Sequence, residues 1–378
     1  MKKNYLLTPG PTPLPPEVCQ ELSRPIIHHR TPQFQAILKD AAEGLKYVYQ
    51  TNSDVYIFSS SGTGVMEAAV VNLLSEGDTA ITVEGGKFGE RWTSLCQAYK
   101  IKPEVIKVEW GKSVKPLDIA NKLKVSSAKA VFVTLCETST GVTCDIKAIA
   151  EVVKNTGAVL VVDAISGLGV LDLKTDEWGV DVVVSGSQKG LMLPPGLGFI
   201  SLSEKAWKLI NQSKGPRYYF DLPKARKAWD KIDTPFTTSV SLVRALNVAL
   251  KMIKEEGLEN VFARCRKLAC GVRAAAMALG LGLFADKSCA SDAITAINVP
   301  AGIDGEKLVK TMRDSYGVTM AGGQAELKGK VLRIATMGYI NEFDIILALS
   351  CLEKVLQQMG YKFKLGAGLR AAQEVFLK

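Results

Sequence analysis

The chain has only two histidines, His28 and His29, and no CxxC pair among its eight cysteines. Neither histidine lies near a cysteine, so zinc-finger spacing is excluded. The cysteines stand singly at 19, 96, 136, 144, 265, 270, 289 and 351, which suits a reducing compartment and reads all eight as small structural hydrophobes. No apolar run approaches the roughly 20 residues that a membrane helix needs. The stretch around residues 158 to 162 is the longest and stops at Asp163. Met1, Lys2 and Lys3 resemble the start of a secretory leader, but Pro9, Gly10, Pro11 and Pro13 interrupt the chain before an apolar region can follow. A soluble, cytoplasmic protein is expected. Internal repeats, low-complexity linkers and RRM, helix-turn-helix or KH signatures are also missing, so nucleic acid is not an expected partner.

What is present is an ordinary globular composition: 47% hydrophobic and 22% charged over 378 residues. At roughly 100 to 200 residues per domain, this length suggests about two domains. Lysine and arginine total 47 against 38 acidic residues, a net charge of +9. The basic residues are dispersed, which fits a mild field for small anionic substrates.

From residue 54 onward, β-rich runs alternate with amphipathic helical stretches, the pattern of a mostly parallel sheet covered on both faces. Strands are expected at 54 to 60, 79 to 85, 129 to 135, 158 to 164, 180 to 186 and 198 to 203, and helices at 64 to 74, 88 to 99 and 146 to 157. The near-continuous Val and Leu of the strands predicts burial on both faces. Beyond about Pro235 come two long helical stretches, 239 to 256 and 257 to 280. They are followed by strands at 293 to 299 and 331 to 336, a helix between them, and a last helix at 342 to 359. This is an α+β tail and predicts a second, smaller domain.

Open α/β sheets bind ligands at the carboxyl ends of their strands, so those positions carry the functional argument. SSSGTG (59 to 64) offers small hydroxyls and a helix N-terminus, a phosphate cradle or simply an N-cap turn. Asp163 ends one strand, where a buried carboxylate demands a cationic partner, unless it is a cap or ion-pair residue. Lys189 follows the next strand in SGSQK. There it is either a solvated surface charge or an amine whose desolvation frees it to form an imine. An aspartate for a pyridinium nitrogen, a lysine for an aldehyde and a helix N-terminus for a phosphate together describe pyridoxal phosphate. Phe88, in GGKFGERW, can stack on the pyridine ring or belong to the core. ETSTGV (137 to 142) offers the hydroxyls of Thr138, Ser139 and Thr140, or forms a polar turn. LPPG (193 to 196) stiffens the loop after Lys189.

These segments resemble the class V, fold-type I aminotransferases, in the group of alanine–glyoxylate and serine–pyruvate aminotransferases. LLTPGPTPLPPEV, HHRTPQF, SSSGTGVMEAAVVNLL, GGKFGERW, ETSTGV, VDAISGLG, SGSQKGLMLPPG, TPFTTSVSL, EEGLENVFARC and LRIATMG match in the family's order and cover nearly the whole chain. The resemblance implies an α/β fold with a mostly parallel seven-stranded sheet sandwiched by helices and a smaller α+β C-terminal domain. It divides the chain into an N-terminal segment (1–20) that packs with the small domain and active site, a large domain (21–255) and a small domain (256–378). It implies that Lys189 forms a Schiff base with pyridoxal 5'-phosphate and moves the substrate Cα proton, and that Asp163 keeps the ring nitrogen protonated. Phe88 would stack on the ring, Ser61, Gly62, Thr63 and Gln188 would bind the phosphate, and Thr138 would reach the ring hydroxyl or the substrate carboxylate. Arg333 would take the substrate α-carboxylate as a bidentate fork, with Gly10 beside the substrate. Thr234 or Thr237, in TPFTT, would complete the phosphate site of a neighbouring subunit, making a homodimer with shared active sites.

The activity so implied is ping-pong transamination between a small amino acid, serine or alanine, and a small 2-oxo acid, glyoxylate or pyruvate. Some sequences in the group are named soluble hydrogenase small subunits, but no iron–sulfur ligand set is present here. One rival is a cysteine desulfurase-like lyase. Such enzymes stack a histidine on the ring and place another before the lysine, where this chain has Phe88 and Gln188, and Cys289 is the one loosely suitable thiol. The other is a non-catalytic subunit of a larger complex, which would need no carboxylate fork. His28 and His29 are expected to serve structure or a subunit interface.

Overall fold

Runs of Val, Ile, Leu and Phe, each bounded by polar or glycine-containing turns, organise the first two-thirds of the chain. In the computed structural model, which describes residues 3–378, they form β1 (Val55–Ser59), β2 (Thr79–Glu84), β3 (Lys102–Lys107), β4 (Ala130–Thr134), β5 (Val159–Asp163), β6 (Val182–Gly186) and β7 (Leu197–Leu202). Met1 and Lys2, the first residues of the basic start, lie outside the described residues. The seven strands form one sheet in the order β1-β7-β6-β5-β4-β2-β3. All run parallel except β7, which is antiparallel to both β1 and β6.

Both faces of the sheet are buried, as the continuous apolar runs predict. Alternate residues along each strand point to opposite faces. Val131, Val133, Leu160, Val162 and Val183 join one apolar cluster, and Phe132, Val159, Val161, Val182 and Val184 join the other. Each such side chain contributes about 1.5–3 kcal/mol by leaving water. The observed register places Asp163 opposite Thr134 and Val184. β3 has no counterpart in the sequence reading: its KPEVIK carries charges and Pro103, which an edge strand tolerates and a central one does not.

Because the parallel strands share one direction, their carboxyl ends share one edge. Helices α1 (Gly62–Leu73) and α2 (Gly89–Ala98) start there, after β1 and β2. Toward the C-terminus, the helices Val240–Glu256 and Leu258–Ala278 meet at Gly257, whose φ of +82° permits the break. A three-stranded antiparallel sheet follows, with Val331–Ala335 between Ile294–Asn298 and Ala321–Gly322. The N-terminal strand Tyr5–Leu6 pairs parallel with Val318–Thr319, and Ala335 donates its backbone N–H to the carbonyl of Leu7. The chain start is thus stitched to the C-terminal strands before it reaches the large sheet's edge. Among the described residues, no helix is long and apolar enough to cross a membrane.

Candidate active site

At that edge a cavity of about 100 Å³ is walled by Ser61, Gly62, Thr63, Phe88, Asp163, Gln188 and Lys189. Seven of the residues singled out from sequence therefore meet in one place. Arg91, Cys136, Ile165 and Ser166 complete the wall.

Lys189 sits in the turn that follows β6 and is 8% exposed. Its Nζ donates to the carbonyl oxygen of Pro9. Burial lowers its pKa to about 8; the charges of Arg333 and Arg91 act in the same direction, and Cys136 and Asp163 oppose them. The loop behind it is held by Ser187, whose hydroxyl donates to the carbonyl of Pro194 in LPPG.

Asp163 is 3% exposed and makes no ion pair among the described residues. Burial raises its pKa to about 7, against one backbone N–H from Ile165 at 2.8 Å and the charges of Arg91 and Lys189; Glu137 reinforces the rise. A carboxylate so placed lacks the cation that its burial calls for.

The cradle is made by the start of α1. Ser61 caps this helix, its Oγ accepting from the Gly64 N–H at 3.2 Å, so the capping role is realised. A hydroxyl that accepts there still has its own O–H to donate. A Cβ on Gly62 would lie 2.5 Å from the Ile165 side chain, so the close approach of helix and strand end requires glycine. Thr63 Oγ1 accepts from Arg91 Nη1 at 3.1 Å. The Gln188 amide oxygen is buried without a hydrogen-bond partner.

Arg333 is 4% exposed and lies outside the walls of the cavity. Its Nε donates to the Gly322 carbonyl at 2.9 Å and its Nη1 to the Thr138 carbonyl at 2.7 Å. Burial lowers its pKa to about 10, with Glu137 opposing. No carboxylate pairs with it among the described residues, and the remaining N–H groups of its fork are available. Thr138 is fully buried, with an unpartnered Oγ1, and is behind the wall rather than in it.

Three further positions fall elsewhere. Thr234 and Thr237 line a separate recess with Ser59, Tyr219 and Phe236, and Thr234 Oγ1 donates to the Phe236 carbonyl at 2.8 Å. The rings of His28 and His29 lie with centroids 4.7 Å apart, tilted by 35°. Next to them Arg30 pairs with Asp233 at 2.5 Å, and the His29 Nε2 is buried without a partner. Cys289 is absent from the cavity wall; the cysteine in it is Cys136, whose thiol burial pushes up to about 12 and so keeps neutral.

Two residues with no role in the sequence reading matter here. Glu137, 4% exposed, accepts at Oε2 from the Phe88 and Gly89 N–H groups at 3.0 and 2.9 Å. At Oε1 it accepts from the Ser139 N–H and hydroxyl. It thus ties the start of α2, and with it Phe88, to the ETSTGV loop that holds Arg333. Arg91 lies in the first turn of α2, its guanidinium 5.0 Å from the Phe88 ring centroid.

The residues fit pyridoxal phosphate on grounds internal to the structure. Asp163 is a buried carboxylate short of a cation, which a protonated ring nitrogen supplies. Lys189 is a desolvated amine on the same wall, and the α1 start offers amides and hydroxyls to an anion.

The class-V aminotransferase family model matches residues 4–341. Among curated proteins, the chain is 45% identical to a soluble hydrogenase small subunit of Synechococcus sp., covering 99% of this chain and 98% of that one. It is 40% identical to a serine–glyoxylate aminotransferase of Hyphomicrobium methylovorum, over 99% of this chain and 95% of that one. The solved structure of ureidoglycine–glyoxylate aminotransferase from Bacillus subtilis superposes with a TM-score of 0.95 at 30% identity, covering 100% of this chain and 99% of that one.

Proposed function

The chain belongs to the class-V aminotransferases, and from that premise we propose that it transfers an amino group between a small amino acid, serine or alanine, and glyoxylate or pyruvate. Its cofactor is pyridoxal 5'-phosphate, which supplies when bound an aldehyde that captures the amine and a ring that takes up the charge left at the substrate Cα. The observation that carries the reading is the joint placement of Asp163 and Lys189 at adjacent strand ends with oppositely shifted pKa values.

Each residue then has a task set by its surroundings. Lys189, lowered to about 8, gives up its proton more readily than an ordinary lysine and moves the proton at Cα. Asp163 holds a proton on the ring nitrogen. Phe88 covers one ring face and excludes water. Ser61, Gly62, Thr63 and Gln188 hold the phosphate, and Thr138 backs the carboxylate site through its carbonyl. Arg333 binds the substrate carboxylate with the part of its fork not engaged by Thr138 and Gly322. Gly10 leaves room for the lysine and substrate in the N-terminal segment.

The same reading makes the working unit a cytoplasmic homodimer, with the division at 255/256 separating large and small domains. Thr234 and Thr237, set apart from the Lys189 cavity, serve the phosphate site of a second copy. Exposed Tyr218 and Tyr219 beside them support a covered face, and free cysteines throughout support a reducing compartment. A fully active monomer in sedimentation would overturn the shared site.

The test is a half-reaction. Adding serine or alanine to the holoenzyme discharges the visible absorbance of the bound cofactor, and glyoxylate restores it. No change with any of a panel of amino acids would sink the proposal.

A further inference from the structure

The cofactor's phosphate carries about −1.5 to −2 charges at neutral pH. Ser61, Gly62 and Thr63 meet it with neutral donors, and a helix N-terminus adds only about half a positive charge. Two buried carboxylates, Asp163 and Glu137, stand nearby. Of the site's cations, Lys189 is committed to the aldehyde, and Arg333 is fixed on the carbonyls of Gly322 and Thr138. That leaves Arg91.

Arg91 shares the cavity wall with Ser61, Gly62 and Thr63, and its Nη1 already donates to Thr63 Oγ1 at 3.1 Å. Among the described residues it has no carboxylate partner. The neighbouring acid on its own helix, Glu90, is paired with Lys87 instead. A guanidinium with unused N–H groups, on the same wall as a cradle of hydroxyls and amides and with no carboxylate in ion-pair contact among the described residues, matches a phosphate in shape and charge. A purely structural arginine would only brace the Phe88 ring, over which it also lies at 5.0 Å.

We propose that Arg91 is the cation of the phosphate subsite, binding the phosphate together with Thr63 and selecting the phosphorylated cofactor over its unphosphorylated form. The proposal rests on the pyridoxal phosphate reading above.

The experiment is equilibrium binding of pyridoxal phosphate and of pyridoxal to the full chain stripped of cofactor, in the wild type, Arg91→Gln and Arg91→Lys, followed by absorbance. Arg91→Gln weakens pyridoxal phosphate at least about tenfold, as expected for loss of a charged hydrogen bond, and leaves pyridoxal within about twofold. Arg91→Lys restores part of the loss. Inorganic phosphate competes with pyridoxal phosphate in the wild type and less in Arg91→Gln. Equal losses for both aldehydes, the mark of a brace for Phe88, would overturn the assignment, as would no loss for either. A wild-type chain that takes up neither compound would instead overturn the cofactor reading itself.

Discussion

Lys189 donates its ammonium proton to the carbonyl of Pro9, a residue 180 positions away in the sequence. The next residue, Gly10, has φ +136°, and a Cβ there would fall 2.5 Å from both Cε and Nζ of the lysine. Thr12 continues the contact, its hydroxyl donating to the Lys189 carbonyl at 2.9 Å. The N-terminal segment therefore closes over the reactive amine and gives its ammonium form a fixed acceptor, while Leu7 anchors the segment to the C-terminal strands.

Gly10→Ala accordingly displaces the lysine and forces a left-handed backbone on a residue that resists it. A misplacement of about 1 Å in a reacting group costs roughly 10²-fold in rate. Steady-state kinetics should show kcat falling by that order, and thermal melting should show a smaller loss of stability. A variant with unchanged kcat would mean that Pro9 and Gly10 are bystanders.

Asp163 gives a prediction with a definite sign. Its folded pKa, about 7, lies above the ordinary value of 3.8 because burial disfavours the charged form. The folded, cofactor-free chain binds this proton more tightly than the unfolded chain does. Its contribution to stability is present below pH 4, is lost as pH rises to about 7, and stays lost above. Asp163→Asn keeps an acceptor for the Ile165 N–H and removes the charge. It should stabilise the cofactor-free protein by on the order of a few kcal/mol at pH 8, and by less at pH 5. The same variant should hold the cofactor more weakly. Urea unfolding at the two pH values reads the difference, and a gain independent of pH would contradict the buried charge.

Much of this site is legible without coordinates, for a physical reason. Val159–Asp163 and Val182–Gly186 are apolar enough to be central parallel strands, so the residues that end them must lie at a shared edge. That logic locates Asp163 and Lys189 and fails for Glu137. Its partners are backbone N–H groups of Phe88 and Gly89, contributed from nearly fifty positions upstream, so ETSTGV reads as a polar turn. Pro9 is hidden in the same way, because a carbonyl acceptor carries no side-chain signature. β3 escapes because the outermost strand of a sheet need not be apolar. Thr234 and Thr237 line a recess apart from the cavity, which the strand-end logic does not reach.

Glu137→Gln tests the tie between Phe88 and the loop that carries Arg333. The carboxylate accepts from two backbone N–H groups at Oε2 and from the N–H and hydroxyl of Ser139 at Oε1. An amide places an NH₂ against one of these donor pairs and leaves them unsatisfied, at about 1–3 kcal/mol for each buried group. Lower stability in denaturant, together with weaker cofactor binding, is the expected pair of outcomes. Loss of stability with unaltered cofactor affinity would show that Phe88 keeps its place without this anchor.

Arg333→Lys separates charge from geometry at the carboxylate site. A lysine keeps the positive charge, but it cannot hold the Gly322 and Thr138 carbonyls while presenting two parallel N–H groups to a substrate. Each charge-assisted bond is worth about 1.5–3 kcal/mol, so kcat/KM for serine or alanine should fall by roughly 10- to 100-fold. An amine donor with no carboxylate makes no use of the fork, so its own slow rate should be unchanged by the substitution. Measuring both donors on the same variant removes stability and cofactor loading from the comparison, because both affect the two rates alike. If the two donors lose rate equally, the arginine supports the fold of the site and not the recognition of substrate.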